Sequence, residues 1–300
     1  MPYFHLVFTL PHALHTLIAL RPRVIYEILF AAASATLVEF AANPRWLGGK
    51  LAFSLVLHTW KQALGRHVHV HALVAGGALT ADGEWKSPKR GFLFPVRALS
   101  RVFRGKFMAA LTEARGAGQP LATALADDKV WRALRQQLLA HDWVVYAKQP
   151  LGGPEQVLDY LGRYTHRVAI SNERLVGMDE TAVRFRVRAT PGKRVLQLPA
   201  EEFIDRFLLH VLPSGFKRIR HYGLLAPAAK ATQLSLARQA LSVPEPDPVL
   251  TATVKDFLQR IGGTEWTRCT HCHEGRFVPT AAIPPQRQAM PPSISVRGPP

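Results

Sequence analysis

The sequence predicts an α+β fold built around an antiparallel sheet. Runs of β-branched and aromatic residues alternate with stretches that have the spacing of amphipathic helices. Two pairs of consecutive strands are joined by the short connections KQALGR and PG, which favour antiparallel pairing. A hydrophobic content of 48% supplies a sizeable core, and 300 residues suffice for one large domain with appendages or for two small ones.

The individual elements follow from local pattern. Pro11 ends the first strand, Gly76-Gly77 ends the strand that holds three histidines, and Pro154 suits the first turn of a helix. In chain order, the predicted elements are a strand at 3–11, a helix at 24–42, strands at 51–60 and 67–77, helices at 94–114 and 121–140, a strand at 143–150, a helix at 152–168, a hairpin of 182–190 and 193–200, and a helix at 200–213.

Composition divides the chain into three parts. Residues 1–240 carry the regular alternation of strands and helices and form the predicted main domain. Residues 241–277 combine a Pro-containing linker, a short helix at 250–261 and the motif CTHCH. Residues 278–300 are rich in proline and low in complexity, so we expect them to be disordered.

The charge balance points to a polyanionic partner. The chain has 38 Lys and Arg against 21 Asp and Glu, a net charge of +17. Nucleic acid is the commonest partner of such a chain, and an anionic membrane surface is the competing interpretation. The apolar stretch 24–42 contains Glu27 and Glu39, each costly in lipid, so a buried helix of a soluble protein is the better prediction. Two cysteines and the lack of a signal peptide favour the cytosol.

Three histidines, His67, His69 and His71, occupy alternate positions of one predicted strand. Alternate side chains share a face, so the three imidazoles point the same way, with neighbours roughly 6.6–6.8 Å apart at Cα. Two neighbours can converge on one metal ion, whereas His67 and His71 are too far apart to join a third at the same ion. A metal site therefore takes two of these histidines, and the alternative is a polar face of a half-buried strand.

The predicted helix at 152–168 contains Gln156, Tyr160 and Tyr164 at intervals of four residues, so they share one face. Arg163 and Arg167 flank the tyrosines. A tyrosine hydroxyl surrounded by cations can attack a phosphodiester, and a metal ion on the phosphate assists as a Lewis acid. Ordinary packing is the alternative for two tyrosines at this spacing.

Basic residues cluster outside these motifs. From residue 85 to 106 there are seven Lys or Arg and no acid, and from 181 to 238 there are 11 against three acids. Cations can follow the phosphates of a single strand while Phe216 or Tyr222 stacks on bases. The predicted DNA-binding residues are Arg97, Arg101, Arg104, Arg163, Arg167, Arg184, Arg186, Arg188, Lys217, Arg218 and Arg220.

The motif CTHCH places Cys269, Cys272 and two histidines within five residues. Such a cluster is too cramped for a tetrahedral structural zinc site made of two arms. A Zn²⁺ site at Cys269 and Cys272 therefore needs ligands from elsewhere in the chain or from a partner.

Together these motifs resemble a known family. A His-hydrophobic-His strand followed by a helix with two tyrosines resembles the HUH endonucleases, which nick single-stranded DNA through a 5′-phosphotyrosine link. The segments PYFHLVFTLPH, HVHVHALVAGGAL, WVVYAKQPLGGPEQVLDYLGRYTHRVAISNERL and GFKRIRHYGLLA look like the two-tyrosine transposases of the insertion sequence 91 family, over roughly residues 2–240. That resemblance implies a central antiparallel sheet of the HUH or RRM-like (ferredoxin-like) type with flanking helices.

The resemblance also implies roles for particular residues. His69 and His71 match the metal-binding pair, with Mg²⁺ or Mn²⁺ as the ion, and Tyr160 and Tyr164 match the nucleophiles. Gln156 is the candidate third ligand, and His67 and Glu155 are its rivals. The implied function is a metal-dependent tyrosine DNA endonuclease and strand transferase that acts on transposon ends in rolling-circle transposition.

Other implications concern partners and alternatives. Single-stranded DNA is the expected partner, with no membrane or small-molecule substrate, in a bacterial cytoplasm near the nucleoid. Family members usually start with a cysteine-rich zinc-binding module, which is missing before MPYFH, so a truncated and inactive DNA-binding remnant is one alternative. A replication initiator or relaxase of the same superfamily is another, and a metal-storage protein would leave the basic clusters unexplained.

Overall fold

The chain divides in this computed structural model into two compact units, Met1–Glu245 and Pro246–Pro300. The residues that the structure describes are 1–89, 92–116, 125–151, 169–188, 192–245, 269 and 271–275. In the second unit they are confined to the CxxC segment, so the predicted helix at 250–261 and the predicted tail from 278 lie outside them.

The described part of the first unit intermixes strands and helices along the chain. In order, they are β1 (Tyr3–Thr9), α1 (His15–Leu20), α2 (Pro22–Ala42), β2 (Gly49–Trp60), β3 (Arg66–Thr80), β4 (Trp85–Lys86), α3 (Val96–Gly116), α4 (Asp128–Leu139), β5 (Val145–Leu151), β6 (Leu175–Met178), β7 (Ala182–Arg188), β8 (Lys193–Pro199), α5 (Ala200–Leu208), β9 (Ile219–Gly223) and α6 (Lys230–Ala240).

The main sheet has the strand order β5-β1-β3-β2-β9, and β4 pairs with β3. Every described pair in it is antiparallel. The succession β1-α2-β2-β3-α3-β5 is the βαββαβ unit of ferredoxin-like folds, in which the first and third strands lie in the middle. The predicted α+β class with a central antiparallel sheet of this type is therefore confirmed, and β9 extends it beyond β2.

The apolar side chains of the sheet pack on α2 and α3. Phe8, Val70 and Leu55 point to this side together with their neighbours on adjacent strands, and all three are fully buried. The ring of Phe8 meets that of Phe103 of α3 edge-on at 5.1 Å. We call this side of the sheet the helix face, and it supplies most of the hydrophobic core.

Helix α2 is the one described helix that is long and apolar enough to cross a membrane, with a mean hydropathy of 1.7. It is instead the core helix of this unit, and 61% of its apolar window is buried inside the protein. Its two acids bind cations of the same unit, since Glu27 accepts two hydrogen bonds from Arg220 and Glu39 pairs with Lys106. The burial predicted for this helix is therefore confirmed.

Strand β3 continues through Gly76-Gly77 to Thr80, although the glycines predicted its end. Gly76 donates a hydrogen bond to the carbonyl oxygen of Pro2, and a Cβ at this position would lie 2.6 Å from that oxygen. A Cβ at Gly77 would lie 2.3 Å from the indole nitrogen of Trp85. The glycines therefore allow close approach of neighbouring backbone and a ring, at a bulge where β3 shifts register against β2.

A second, three-stranded sheet has the order β6-β7-β8. The predicted hairpin is β7 and β8, and α5 follows it, although α5 ends at Leu208 rather than at 213. Phe185, Val187 and Leu198 form a small core with Leu64, which lies in the turn between β2 and β3. The small sheet therefore packs on the connection that links β2 and β3.

Five elements escaped prediction: α1, β4, β6, β9 and α6. The segment of β9 was predicted only as part of a basic cluster, yet its backbone forms a strand that pairs with β2 from Ala52 to Val56. Helix α4 also begins later than predicted, at Asp128, because the side chain of Asp127 accepts a hydrogen bond from the backbone N–H of Lys129 and caps the helix.

Candidate metal centre

The side of the sheet opposite the helix face carries polar side chains that are nevertheless buried. His69 lies opposite His58 of β2 and Thr9 of β1, and His71 lies opposite Val7. Because directly paired residues point to the same side, the strand pairing brings histidines of three strands together. We call this side the histidine face, after its residues His5, His58, His69 and His71.

The imidazoles of His69 and His71 face each other through their Nε2 atoms, which are 3.0 Å apart. The Nδ1 of His69 donates to the carbonyl oxygen of His67 at 2.9 Å, so the Nε2 of a neutral His69 presents a lone pair. Two nitrogens this close need a proton or a cation between them. Two nitrogens bound to one tetrahedral zinc ion are about 3.3 Å apart, so the observed spacing suits a shared metal ion.

His58 completes the group. One nitrogen from each of His58, His69 and His71 lies within 4.8 Å of the others, and the rings of His58 and His71 are 4.2 Å apart. Trp60 stacks on His58 at 4.8 Å and Arg218 lies over Trp60, so the ring of His58 is held from the side. His58 was not among the predicted ligands. The sequence does contain a signal for it, since counting outward from the short KQALGR connection places His58 opposite His69.

A fourth histidine supports the group from behind. The Nε2 of His5, on β1, lies 2.8 Å from the Nδ1 of His71, and the two rings are stacked. When the Nδ1 of His71 donates to His5, the Nε2 of His71 carries the lone pair that can bind a metal. Hydrogen bonds of this kind orient a ligand and raise its basicity.

Burial keeps these imidazoles in the form that binds metals. The pKa of His58 is lowered to about 2 and that of His69 to about 4, mainly because burial penalises the charged ring. His67 lowers the pKa of His69 further, while the hydrogen bond to its carbonyl oxygen opposes the shift. Both rings are therefore neutral near pH 7, and neutral imidazole is the metal-binding species.

His67 lies at the edge of the metal group. Its ring is 4.9 Å from that of His69 and 6.3 Å from that of His12, which in turn lies 4.6 Å from that of His15. Its carbonyl oxygen also accepts the hydrogen bond that holds His69. The structure thus brings together His69 and His71, as the spacing predicted, and gives His67 a supporting position.

A cavity of about 510 Å³ opens onto the three histidines. Its described lining contains two charged residues, Lys61 and Arg174, and no carboxylate. Three imidazoles and two cations, with no carboxylate among the described lining residues, make a site that attracts an anion, and a phosphate that also binds the metal ion fits this charge pattern.

The rim of this cavity is the connection between β2 and β3, and three side chains hold its carbonyl oxygens. Arg174 donates to Gln62, Arg206 donates to Ala63, and His210 donates to Leu64. The Oγ1–H of Thr59 donates a hydrogen bond to the Nδ1 of His210, so both ring nitrogens of this histidine have a partner. Consecutive carbonyls bound in this way fix the connection and hence the position of Lys61 beside the histidines.

The predicted DNA-binding residues differ in how much of their side chain the fold already uses. Arg97, Arg101, Arg186, Arg188 and Lys217 are exposed. Arg104 binds two backbone carbonyls and Asp142, and Arg184 pairs with Asp179. The arginines of β7 do lie on one side of their strand, opposite the buried Phe185 and Val187, as alternation predicted.

The basic segment around β9 is largely internal. Arg218 donates to the carbonyl oxygen of Leu57, and Arg220 lies over the rings of Phe30 and Phe216 in addition to its pair with Glu27. Phe216 is a buried core residue and Tyr222 stacks on Phe53. The expectation that Phe216 stacks on bases is therefore wrong, because its ring is enclosed by the core.

The predicted tyrosine helix lies outside the described residues. This includes Tyr160, Tyr164, Gln156 and Glu155, together with Arg163 and Arg167. Their predicted roles stay predictions.

In the second unit, the backbone N–H of Gly275 lies 3.3 Å from the sulfur of Cys272, and the N–H of Cys269 donates to the carbonyl oxygen of Gly275. Hydrogen bonds from backbone N–H groups, that of Gly275 above all, lower the pKa of Cys272. The cysteines do not form a disulfide. Among the described residues, Cys269 and Cys272 are not part of any group of three metal-binding side chains.

The sequence relatives define the class of protein. Residues 52–233 match the family model Y2_Tnp, described as "Putative transposase". The chain therefore belongs to this transposase family, and the prediction of a transposase of the insertion sequence 91 type is confirmed.

Two relatives carry the match over most of the chain. A protein of Sinorhizobium fredii, "Putative transposase y4qJ", is 43% identical over 92% of this chain and 72% of its own length. The "Transposase for insertion sequence element IS801" of Pseudomonas savastanoi pv. phaseolicola is 28% identical over 94% of this chain and 68% of its own.

Solved structures with a partial likeness are complexes of the conjugative relaxase TrwC. One, with a mutant OriT DNA, is 16% identical, with a TM-score of 0.31 over 80% of this chain and 74% of that chain. Another, with a 27-mer DNA comprising the recognition hairpin and the cleavage site, has a TM-score of 0.29. The membership of this chain in the transposase family follows from its sequence relatives.

Proposed function

We propose that this transposase nicks and rejoins single-stranded DNA at transposon ends through a 5′-phosphotyrosine intermediate, in the cytoplasm. The observation that carries the proposal is the convergence of three histidines in a cavity whose two charged residues, among those that the structure describes, are both cations. Such a site suits a divalent ion and a phosphodiester together.

His58, His69 and His71 hold the divalent ion in this proposal, with Mg²⁺ or Mn²⁺ as the candidates. His58 replaces Gln156 as the proposed third ligand because its ring already lies beside the other two. A bound divalent ion polarises the scissile phosphate and neutralises part of its charge. His5 and the carbonyl oxygen of His67 hold the two paired rings in the orientation that binding requires.

The proposed nucleophile is Tyr160 or Tyr164. The phenol oxygen loses its proton and forms a bond to phosphorus, while the bond from phosphorus to the 3′ oxygen breaks and that oxygen gains a proton. The phosphotyrosine retains the energy of the broken bond, so attack by a 3′ hydroxyl of another strand rejoins DNA and releases the tyrosine.

Covalent capture tests this proposal. The full-length protein is incubated with single-stranded oligonucleotides of candidate element ends and Mg²⁺ or Mn²⁺, and a protein–DNA adduct is sought in a denaturing gel. We expect an adduct with the wild type, its loss in the double variant Tyr160→Phe/Tyr164→Phe, and a reduction of more than about 100-fold in His69→Ala.

The pattern of failure is informative. If the wild type binds the oligonucleotides but forms no adduct with any of them, the chain is a DNA-binding remnant without catalysis. If the double tyrosine variant forms the adduct as fast as the wild type, the proposed nucleophiles are wrong. His141→Ala serves as a control, because this exposed histidine lies in the connection after α4 and outside the histidine face.

A further inference from the structure

Arg174 has no acidic partner among the described residues, whereas six other arginines of the described fold do. Arg115, Arg206, Arg220 and Arg238 each pair with a carboxylate. Arg174 is half-buried, and its described hydrogen bonds go to two backbone carbonyl oxygens, those of Arg186 and Gln62. Burial is the sole cause of the lowering of its pKa, which agrees with the lack of a nearby carboxylate.

A half-buried cation without an anion is costly, since burial removes water without providing a counter-charge. A purely structural tie to the carbonyl of Gln62 would not need a charge, because the neighbouring carbonyl of Leu64 is held by a neutral histidine. The guanidinium therefore calls for an anion that the described residues of the protein do not supply.

The position of Arg174 indicates where this anion lies. Arg174 lines the same cavity as His58, His69 and His71. Its side chain is fixed by the two carbonyls and by the ring of Phe185, 5.8 Å below the guanidinium. Arginine has five N–H donors, and the described bonds use two of them, so donors remain for a ligand.

Lys61 is the other charged residue of the cavity lining, but it is exposed. A flexible ammonium acts as a point charge, whereas a fixed guanidinium can bind two oxygens of one phosphate at once. The arginine is thus the better preorganised of the two cations.

We propose that Arg174 is a catalytic residue that binds a non-bridging oxygen of the scissile phosphodiester and stabilises the charge that develops there during tyrosine attack. The inference rests on the proposed function, and it adds a second positive group at the phosphate besides the metal ion. A positive group fixed before the reaction is effective because it needs no rearrangement as charge develops.

The test compares two linkages in four proteins. Once the adduct has located the scissile phosphate, the same oligonucleotide is made with a neutral methylphosphonate at that linkage. Single-turnover adduct formation is then measured for the wild type, Arg174→Gln, Arg174→Lys and Arg132→Gln. Arg132 is the matched control, an exposed arginine of α4 that also donates to a backbone carbonyl.

On the natural linkage, we expect Arg174→Gln to be about 100- to 1,000-fold slower than the wild type, with Arg174→Lys between them and Arg132→Gln unchanged. On the methylphosphonate, the wild type and Arg174→Gln should react at the same rate, because the neutral linkage lacks the charge that the guanidinium stabilises. Mn²⁺ affinity, measured by electron paramagnetic resonance, should be the same in all four proteins.

Two results would overturn the role of Arg174 and leave the proposed function intact. In the first, Arg174→Gln forms the adduct as fast as the wild type. In the second, Arg174→Gln slows adduct formation equally on both linkages, which would mean that the residue acts through the fold. If Arg174→Gln does not fold, Arg174→Lys keeps the charge and provides the same comparison of linkages. If the wild type forms no adduct at all, the proposed function fails, and this inference fails with it.

Discussion

The two faces of the central sheet use the same strands for opposite purposes. On the helix face, Phe8 and Val70 are apolar and packed under α2 and α3. On the histidine face, the very next residues along each strand, Thr9 and His71, are polar. Alternation of side chains in a strand makes this division possible, since adjacent residues point to opposite sides.

The difference between the faces concerns what burial does. Burial of apolar groups on the helix face stabilises the fold directly. Burial on the histidine face costs free energy unless each polar group has a partner, and partners are present, as His5 with His71 and Ser54 with His221 show. The helix face thus provides the rigidity that the histidine face needs in order to hold several imidazoles in one place.

The largest expected effect comes from a substitution in the core of the helix face. Phe8→Ala removes a fully buried ring and its contact with Phe103, so we expect a loss of about 3–5 kcal/mol in the free energy of unfolding. Urea denaturation followed by circular dichroism measures this loss. Phe8→Leu should lose clearly less, because it leaves a smaller cavity.

The same variants test whether the faces are independent. The folded fraction of Phe8→Leu should bind Mn²⁺ as the wild type does. A fall in Mn²⁺ affinity as large as the fall in stability would show that packing on one face cannot be separated from the site on the other.

A smaller effect is expected from the support behind the metal site. His5→Ala removes the partner of the Nδ1 of His71 and should weaken Mn²⁺ binding about 10- to 100-fold, since outer hydrogen bonds orient a ligand. Isothermal titration calorimetry gives the affinity. His5→Gln should recover much of it, because its amide oxygen can accept the same hydrogen bond.

If His5→Ala and His5→Gln bind Mn²⁺ with the affinity of the wild type, His5 is a buried packing residue rather than a positioning one. Thermal unfolding of both variants without metal separates this case from a general loss of structure.

The smallest effect, counted per histidine and per pH unit, is the pH dependence of stability in protein treated with EDTA. His58 and His69 have folded-state pKa values of about 2 and about 4, below the ordinary 6.5, so the unfolded chain takes up protons first as the pH falls. Their contribution to stability is complete above about pH 6.5 and is lost progressively below it, by roughly 1 kcal/mol per pH unit for each histidine.

Urea denaturation at pH 7.5, 6 and 5 measures this slope. The variant His69→Asn, which cannot take up a proton, should show a shallower slope over the same range. Equal slopes in both proteins would mean that His69 is not kept neutral by the fold.

Much of the fold was accessible from local sequence. The bounds of β1, α2, β2 and α3 were predicted within a few residues, because each run is long and strongly patterned. The glycine pair in β3 and the basic segment of β9 were misjudged, and the two errors have one cause. In both, the partner that decides the local structure is remote in sequence: Pro2 and Trp85 for the glycines, and the backbone of β2 for β9.

The candidate site divides along the same line. By itself, the sequence determined that the chain is a transposase of this family and that His69 and His71 share a face, since the first follows from motifs and the second from the two-residue period of a strand. Only the tertiary structure decided that His58, His5 and Arg174 join them. Their places depend on strand register, on the insertion of β1 between β3 and β5, and on the packing of the small sheet against the β2–β3 connection. These are contacts between distant segments, which no local pattern encodes.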